Sequence, residues 1–240
     1  MTQRWIVATS MGFRPGRRSD LAPGPVFDLL LELAGRPTRP KLTYVGTAWG
    51  DDRHLSGRVH AAFEGSGVEL SVLNLFPMPS VDDVAAHLTG QDAVWVGGGS
   101  VAGLLAMWEL HEVGAAMRAA WDAGVVLGGV SAGSICWHVG GPTDSFGPEL
   151  RPVTNGLGLL PYGNGVHYDS EEQRRPLLQR LVGEGVLPLS HATDDGVGLV
   201  YQGTSLVEAV ADRPGARAYR VERLPDGTVR ETPLEPRLLG

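Results

Sequence analysis

The sequence predicts an α/β fold, a single domain on a largely parallel, doubly wound sheet with a C-terminal β-hairpin region. Three observations predict it. Short apolar runs alternate with stretches of helical spacing through the first half of the chain, which is the pattern of crossover units in a sheet covered on both faces. Two of those runs end in glycine clusters, Gly97–Gly99 and Gly128–Gly133, and in such sheets ligands collect beyond the carboxyl ends of the strands. The length of 240 residues suits one large domain and is short for two.

The elements follow in order. W-I-V-A-T (Trp5 to Thr9) reads as a strand that runs into a loop rich in Gly, Pro and Arg. Val26 to Ala34 has helical spacing, Leu42 to Ala48 is the next strand, and His54 to Phe63 a helix. A strand at Val68 to Leu75 and a short helix at Val81 to Leu88 come next. Asp92 to Gly99 is a strand ending in glycines, followed by one long helix from Val101 to about Ala123 and a strand into Ser131. Residues 1–138 thus form a strand–helix core, and 139–240 a loop, a histidine-bearing segment and hairpins. Within the second part, Glu171 to Val182 has helical character. From Gly196 onward the pattern is hairpins, with Asp226-Gly227 as a two-residue turn.

Composition narrows the function. A net charge of −7 argues against nucleic acid or an anionic membrane as partner. The single cysteine, Cys136, rules out an internal disulfide and any cysteine zinc cage, and it reads as a packed residue of the helix after Ser131. The N-terminal apolar run is too short for a signal peptide, and no stretch approaches the roughly 20 apolar residues of a membrane span. The expected location is the cytoplasm, and the default assembly is a homodimer. No metal or cofactor is expected.

Gly129-Val130-Ser131-Ala132-Gly133 matches G-x-S-x-G, a turn that lifts a serine oxygen clear of the backbone between strand and helix. The Ala132 amide then points where an oxyanion would form. The alternative is an ordinary turn with a helix-capping serine. A nucleophilic serine needs a base, usually histidine. His54, His60, His87 and His111 fall in surface helices, and His138 lies on the helix leaving the turn. His167, in G-N-G-V-H-Y-D, is only slightly preferred over His191 on spacing. Asp144 and Glu149, between Ser131 and His167, are candidate orienting acids. Gly97-Gly98-Gly99-Ser100 with Ala102 satisfies G-x-G-x-x-A. The acid that a dinucleotide site wants about 20 residues on is missing, because the next strand ends at Ser131 itself. A second oxyanion amide fits the triplet better.

The pairing of V-W-V-G-G-G with G-V-S-A-G-S-I-C-W, and of G-L-G-L-L-P with H-Y-D about thirty residues later, resembles the peptidase E (aspartyl dipeptidase) and cyanophycinase family of serine peptidases. That family's fold is related to class I glutamine amidotransferases. The resemblance spans roughly Trp5 to Val210. It implies Ser131 as nucleophile, His167 as general base, and an oxyanion hole from the amides of Ala132 and Gly99. Aspartyl dipeptidases take their acid from an Asp in the loop before the histidine and cyanophycinases from a Glu. Asp144 is favoured narrowly over Glu149. The substrate is expected to be a short peptide, with Gly98, Ser100, Glu171, Arg174 and Arg175 as candidate contacts. Ser100 stands where the family commonly has Asn. Glu171 stands where aspartyl dipeptidases carry the arginine that pairs with the substrate's aspartate, which argues against strict Asp-X specificity unless Arg175 or the loop residues Arg14, Arg17 and Arg18 compensate. Two rival readings remain. One is a non-catalytic amidotransferase-like binding domain. The other, an α/β-hydrolase esterase, is disfavoured because that fold places its histidine last, after a distant acid.

Overall fold

In the computed structural model, which describes residues 3–17 and 19–240, the first half of the chain lays down the sheet. The elements are β1 (Trp5–Thr9), β2 (Phe13–Arg14), β3 (Ala22–Pro23), α1 (Pro25–Leu33), β4 (Lys41–Val45), α2 (Arg53–Phe63) and β5 (Glu69–Leu73). Then come α3 (Val84–Thr89), β6 (Ala93–Val96), α4 (Val101–Leu110), α5 (Val113–Ala123), β7 (Val126–Val130) and α6 (Ala132–Ile135). The second half supplies β8 (Gly141–Thr143), β9 (Arg151–Val153), β10 (Gly163–Gly165), α7 (Arg174–Gly183), β11 (Ser190–Thr193) and β12 (Val197–Gln202). It ends with β13 (Ser205–Ala211), β14 (Ala218–Arg223), β15 (Val229–Leu234) and β16 (Arg237–Leu238).

The main sheet runs in the order β16-β13-β12-β1-β7-β6-β4-β5. From β1 to β5 every neighbouring pair is parallel, and β12 and β13 add an antiparallel hairpin beside β1. Both faces are covered, as the alternation of side chains requires. Ile6, Ala8, Val94 and Val96 pack into one cluster with Leu104, Trp108, Met117 and Trp121. Val7, Ala93 and Trp95 point the other way, against Phe27, Leu30, Val59 and Phe63.

Two expectations change, and a second sheet appears. The long helix breaks into α4 and α5 at Glu112, whose φ of 54° no continuous helix tolerates. The turn at Asp226-Gly227 is a three-residue connection. Leu224 N donates to Thr228 O, and Gly227, at φ 86°, takes the left-handed position. The last hairpin does not extend the main sheet. It joins β10 and β11 in a second, four-stranded sheet of order β10-β11-β14-β15, packed on α7 through Leu178, Leu181, Ala192 and Val221. Strand β11, S-H-A-T, escaped the sequence reading because its four residues carry no apolar alternation.

Candidate active site

Ser131 sits between β7 and α6 at φ 56°, ψ −112°, a conformation that costs an L-residue on the order of 1–3 kcal/mol. The flanking glycines make the turn sterically feasible. A β-carbon on Gly129 would run into the backbone of Gly133, and one on Gly133 into the Val96 carbonyl. The Ser131 amide donates to Thr9 O at 3.0 Å, and its carbonyl accepts from Ser134 N and Ile135 N at 2.9 Å each, which starts α6. Its side chain makes no capping hydrogen bond. The hydroxyl therefore does not serve the helix, contrary to the capping alternative.

His167 follows β10 and also has a positive φ, 52°. Its amide donates to Ser10 Oγ at 3.0 Å, and its carbonyl accepts from Glu171 N at 3.0 Å. The ring nitrogen Nδ1 lies 2.5 Å from Asp195 Oδ1. A carboxylate only accepts, so Nδ1 donates to it, and in the neutral ring Nε2 is the acceptor. No hydrogen bond joins Ser131 to the imidazole among the described residues, and contacts of this kind commonly tighten only when substrate binds.

The acid beside His167 is thus neither of the two expected. Asp144 is exposed, and its nearest cation is Arg174 Nη2 at 3.9 Å. Glu149 is exposed near Gln173 and Pro176, beside the start of α7. Neither is bonded to the imidazole, whose carboxylate partner is Asp195. Asp195 comes after the histidine, in the Asp194-Asp195-Gly196 turn leading into β12, where a search confined to the span between Ser131 and His167 could not find it. Its backbone is held at both ends. Asp195 N donates to Asp169 Oδ1 at 2.8 Å, Arg213 Nε donates to Asp195 O at 2.7 Å, and Arg213 Nη2 pairs with Asp169 Oδ2 at 2.7 Å. Burial works against the Asp169 carboxylate, but the Asp195 amide and the Arg213 guanidinium outweigh it and hold its pKa below the ordinary carboxylate value.

On the other side of Ser131 runs the glycine triplet. A β-carbon on Gly98 would lie 3.3 Å from Ser131 Cβ and 3.9 Å from its Oγ. Gly99 has φ 129°, and a side chain there would strike the Ala48 carbonyl. Among the described residues the amides of Gly99 and Ala132 take no acceptor in any turn or cap. Ser100, expected to meet substrate, instead caps α4 by accepting from Gly103 N at 3.1 Å.

The model of Peptidase family S51 matches residues 22–208. The chain belongs to this family. It is 36% identical over 202 residues to the uncharacterized peptidase YgaJ of Bacillus subtilis strain 168, an alignment covering 84% of this chain and 86% of that protein. Among solved structures, a peptidase from an acI-B1 Actinobacterium shares the fold at TM-score 0.67 and 14% identity, over 98% of this chain and 95% of that one. A candidate peptidase E from Listeria monocytogenes EGD-e does so at TM-score 0.61 and 17% identity, over 86% and 98%. The chain is accordingly a serine-type peptidase.

In this S51 peptidase the charged residues expected at the substrate are engaged elsewhere. Arg174 is buried, its Nε 2.6 Å from Glu171 Oε2 and its Nη1 on the Pro142 carbonyl. Glu171 therefore faces an internal cation and not a bare site. Arg175 pairs with Glu231 at 2.5 Å and lies over the rings of Tyr168, in the turn after β10, and Tyr219, on β14. Arg14, at the end of β2, and Arg17, on the loop that follows it, are exposed, and Arg18 lies outside the described residues. His138 and His191 are buried, joined through Tyr201 OH at 3.4 and 2.9 Å. Burial pushes His138 down to about 3 and His191 to about 4, so both stay neutral. Burial pushes the Cys136 thiol up, which suits a packed residue. Among the described residues no group of three or more His, Cys, Asp or Glu could hold a metal ion, and no helix is long and apolar enough to cross a membrane. A surface cavity of about 900 Å³ is lined by residues such as Arg53, His54 and Arg58 and by none of the Ser131 site.

Proposed function

We propose that this S51 peptidase hydrolyses short peptides through a Ser131–His167–Asp195 triad and an acyl-enzyme. The observation that carries the reading is the His167–Asp195 contact. It leaves Nε2 as the acceptor on a ring whose main chain is fixed beside the residue that fixes Ser131. Nε2 takes the Ser131 proton as Oγ attacks the scissile carbonyl, then hands it to the departing amine. Asp195 keeps the ring in that tautomer and stabilises the imidazolium. The amides of Gly99 and Ala132 receive the oxyanion, and losing one such donor typically costs about 3 kcal/mol. Water, deprotonated by the same imidazole, releases the acyl group. Strict Asp-X preference is not part of the proposal, because Glu171 and Arg174 neutralise one another and offer no free cation.

The test is labelling by a serine-directed fluorophosphonate together with hydrolysis of an X-Leu dipeptide panel. Labelling at Ser131 that is lost in His167→Ala, and hydrolysis that is lost in Ser131→Ala, are expected. A folded protein that is neither labelled nor active would instead be a binding domain that retains the elbow.

A further inference from the structure

Strand order separates the two halves of the chemistry around Ser131. On one side of β7 lie β1 and β12, whose adjoining residues Ser10 and Asp195 hold His167 by its amide and its ring. On the other lie β6 and β4, which carry Gly98, Gly99 and the loop after Val45. A leaving amine must sit beside the imidazole that protonates it. The acyl residue of the substrate is then directed to the β6–β4 side.

That side presents an aromatic ring. Trp49 is 63% exposed, and its Cε3 lies 3.1 Å from where a β-carbon on Gly99 would be. Gly99 adjoins Gly98, which abuts Ser131. The main chain that carries the ring is held in place. Ser100 N donates to Ala48 O at 2.8 Å, and Gly50 and Asp51 both adopt positive φ, 70° and 53°. The buried Asp51 carboxylate accepts from Leu75 N at 2.7 Å, Phe76 N at 2.9 Å and Thr47 Oγ1 at 3.3 Å. A second exposed aromatic, Phe146, follows Ser145, whose Oγ accepts from Ala102 N in the first turn of α4. A large apolar ring exposed beside the glycine proposed to receive the oxyanion has an occupant at hand in a peptidase, namely the substrate.

We infer that Trp49 is a specificity-determining residue that receives an apolar or aromatic side chain on the acyl side of the scissile bond. This rests on the proposed triad, since it uses His167 to assign the leaving side. Trp49 is too exposed for its loss to threaten the fold.

The experiment measures kcat/KM of the whole protein, Trp49→Ala and Trp49→Phe on two dipeptide series, X-Leu with X as Phe, Leu, Ala, Asp or Lys, and Ala-Y with Y varied likewise. The expected result is that the parent prefers X as Phe or Leu over Ala. Trp49→Ala should lower kcat/KM for those two roughly ten- to hundredfold, the range an apolar pocket contact commands. It should change Ala-Leu little, and Trp49→Phe should retain the preference. Equal losses for every X, or a loss that tracks Y, would overturn the inference while Ser131-dependent hydrolysis kept the triad. No hydrolysis in either series, even by the parent, would overturn both.

Discussion

Ser131 and His167 hang from consecutive residues at the end of one strand. The Ser131 amide donates to Thr9 O and the His167 amide to Ser10 Oγ, each at 3.0 Å. Ser10 Oγ also lies 2.7 Å from Thr193 Oγ1, at the end of β11, whose carbonyl accepts the next amide, that of Tyr168, at 3.0 Å. The carboxyl end of β1 is therefore the part that couples the elbow to the histidine segment, two regions 36 residues apart in sequence. Ser10 is a positioning residue that no motif announces.

Ser10→Ala removes the acceptor of the His167 amide and leaves that amide short of a partner in a half-buried site. The cost to stability is about 1–3 kcal/mol. The larger effect falls on turnover. His167 has a positive φ that its surroundings must sustain, and a base displaced by a fraction of an ångström loses rate out of proportion to the movement. Steady-state kinetics should show kcat reduced roughly ten- to hundredfold with KM little changed. An unchanged kcat in a folded variant would mean that the imidazole is placed by Asp195 alone.

Asp195→Asn should separate the proposed acid from its two rivals. The substitution keeps the size of the side chain, but an amide can present its NH₂ to Nδ1 and so favour the wrong tautomer. Turnover should fall roughly 10²- to 10⁴-fold, whereas Asp144→Asn and Glu149→Gln should leave kcat nearly unchanged, since neither side chain bonds the ring. If Asp144→Asn proved the damaging one, the loop carrying it would have to close onto His167 when substrate binds.

The contrast between Asp195 and Ser131 shows what the sequence can and cannot display. The elbow was legible because it is local. A strand end, two glycines and a serine within five residues encode a backbone conformation that few other patterns allow. Strands β1, β4, β6 and β7 were legible for the same reason, as apolar runs with clear ends. Asp195 was not, because its role depends on β12 pairing antiparallel to β1, which brings residue 195 beside residue 167. Arg174 misled in the opposite direction. Its neighbours in sequence matched a substrate-binding segment, while its burial and its bond to the Pro142 carbonyl are tertiary facts. The second sheet was hidden likewise, since β10 and β11 are short and polar and take their place from packing against α7.

The buried histidines give the fold a pH dependence whose sign can be worked out. His138 stays neutral down to about 3, chiefly through burial, with His191 nearby adding to the shift. His191 stays neutral to about 4, again chiefly through burial, with Arg220 adding to it. In the unfolded chain both titrate near their ordinary value of 6.5. Below that value the unfolded state takes up protons that the folded state refuses. The stability they allow is thus complete well above 6.5 and declines as the pH falls toward 4, by roughly 3 kcal/mol per histidine at pH 4.5. Asp169 and Glu231, whose pKa values are lowered, lose their contribution only in and below the carboxylate range. Asp194 and Asp212, raised by burial, act there with the opposite sign. The window from 6.5 to 5 therefore isolates the imidazoles. Urea denaturation of the parent and of His191→Gln across that window should show the variant losing stability with pH on a shallower slope than the parent, because one proton uptake is gone while those of His138 and of the half-buried His87, also lowered by burial, remain. The comparison of slopes holds even if the substituted amide packs poorly, since a fixed penalty shifts the line without tilting it. Equal slopes would mean that His191 accepts a proton in the folded state and that burial does not hold it neutral.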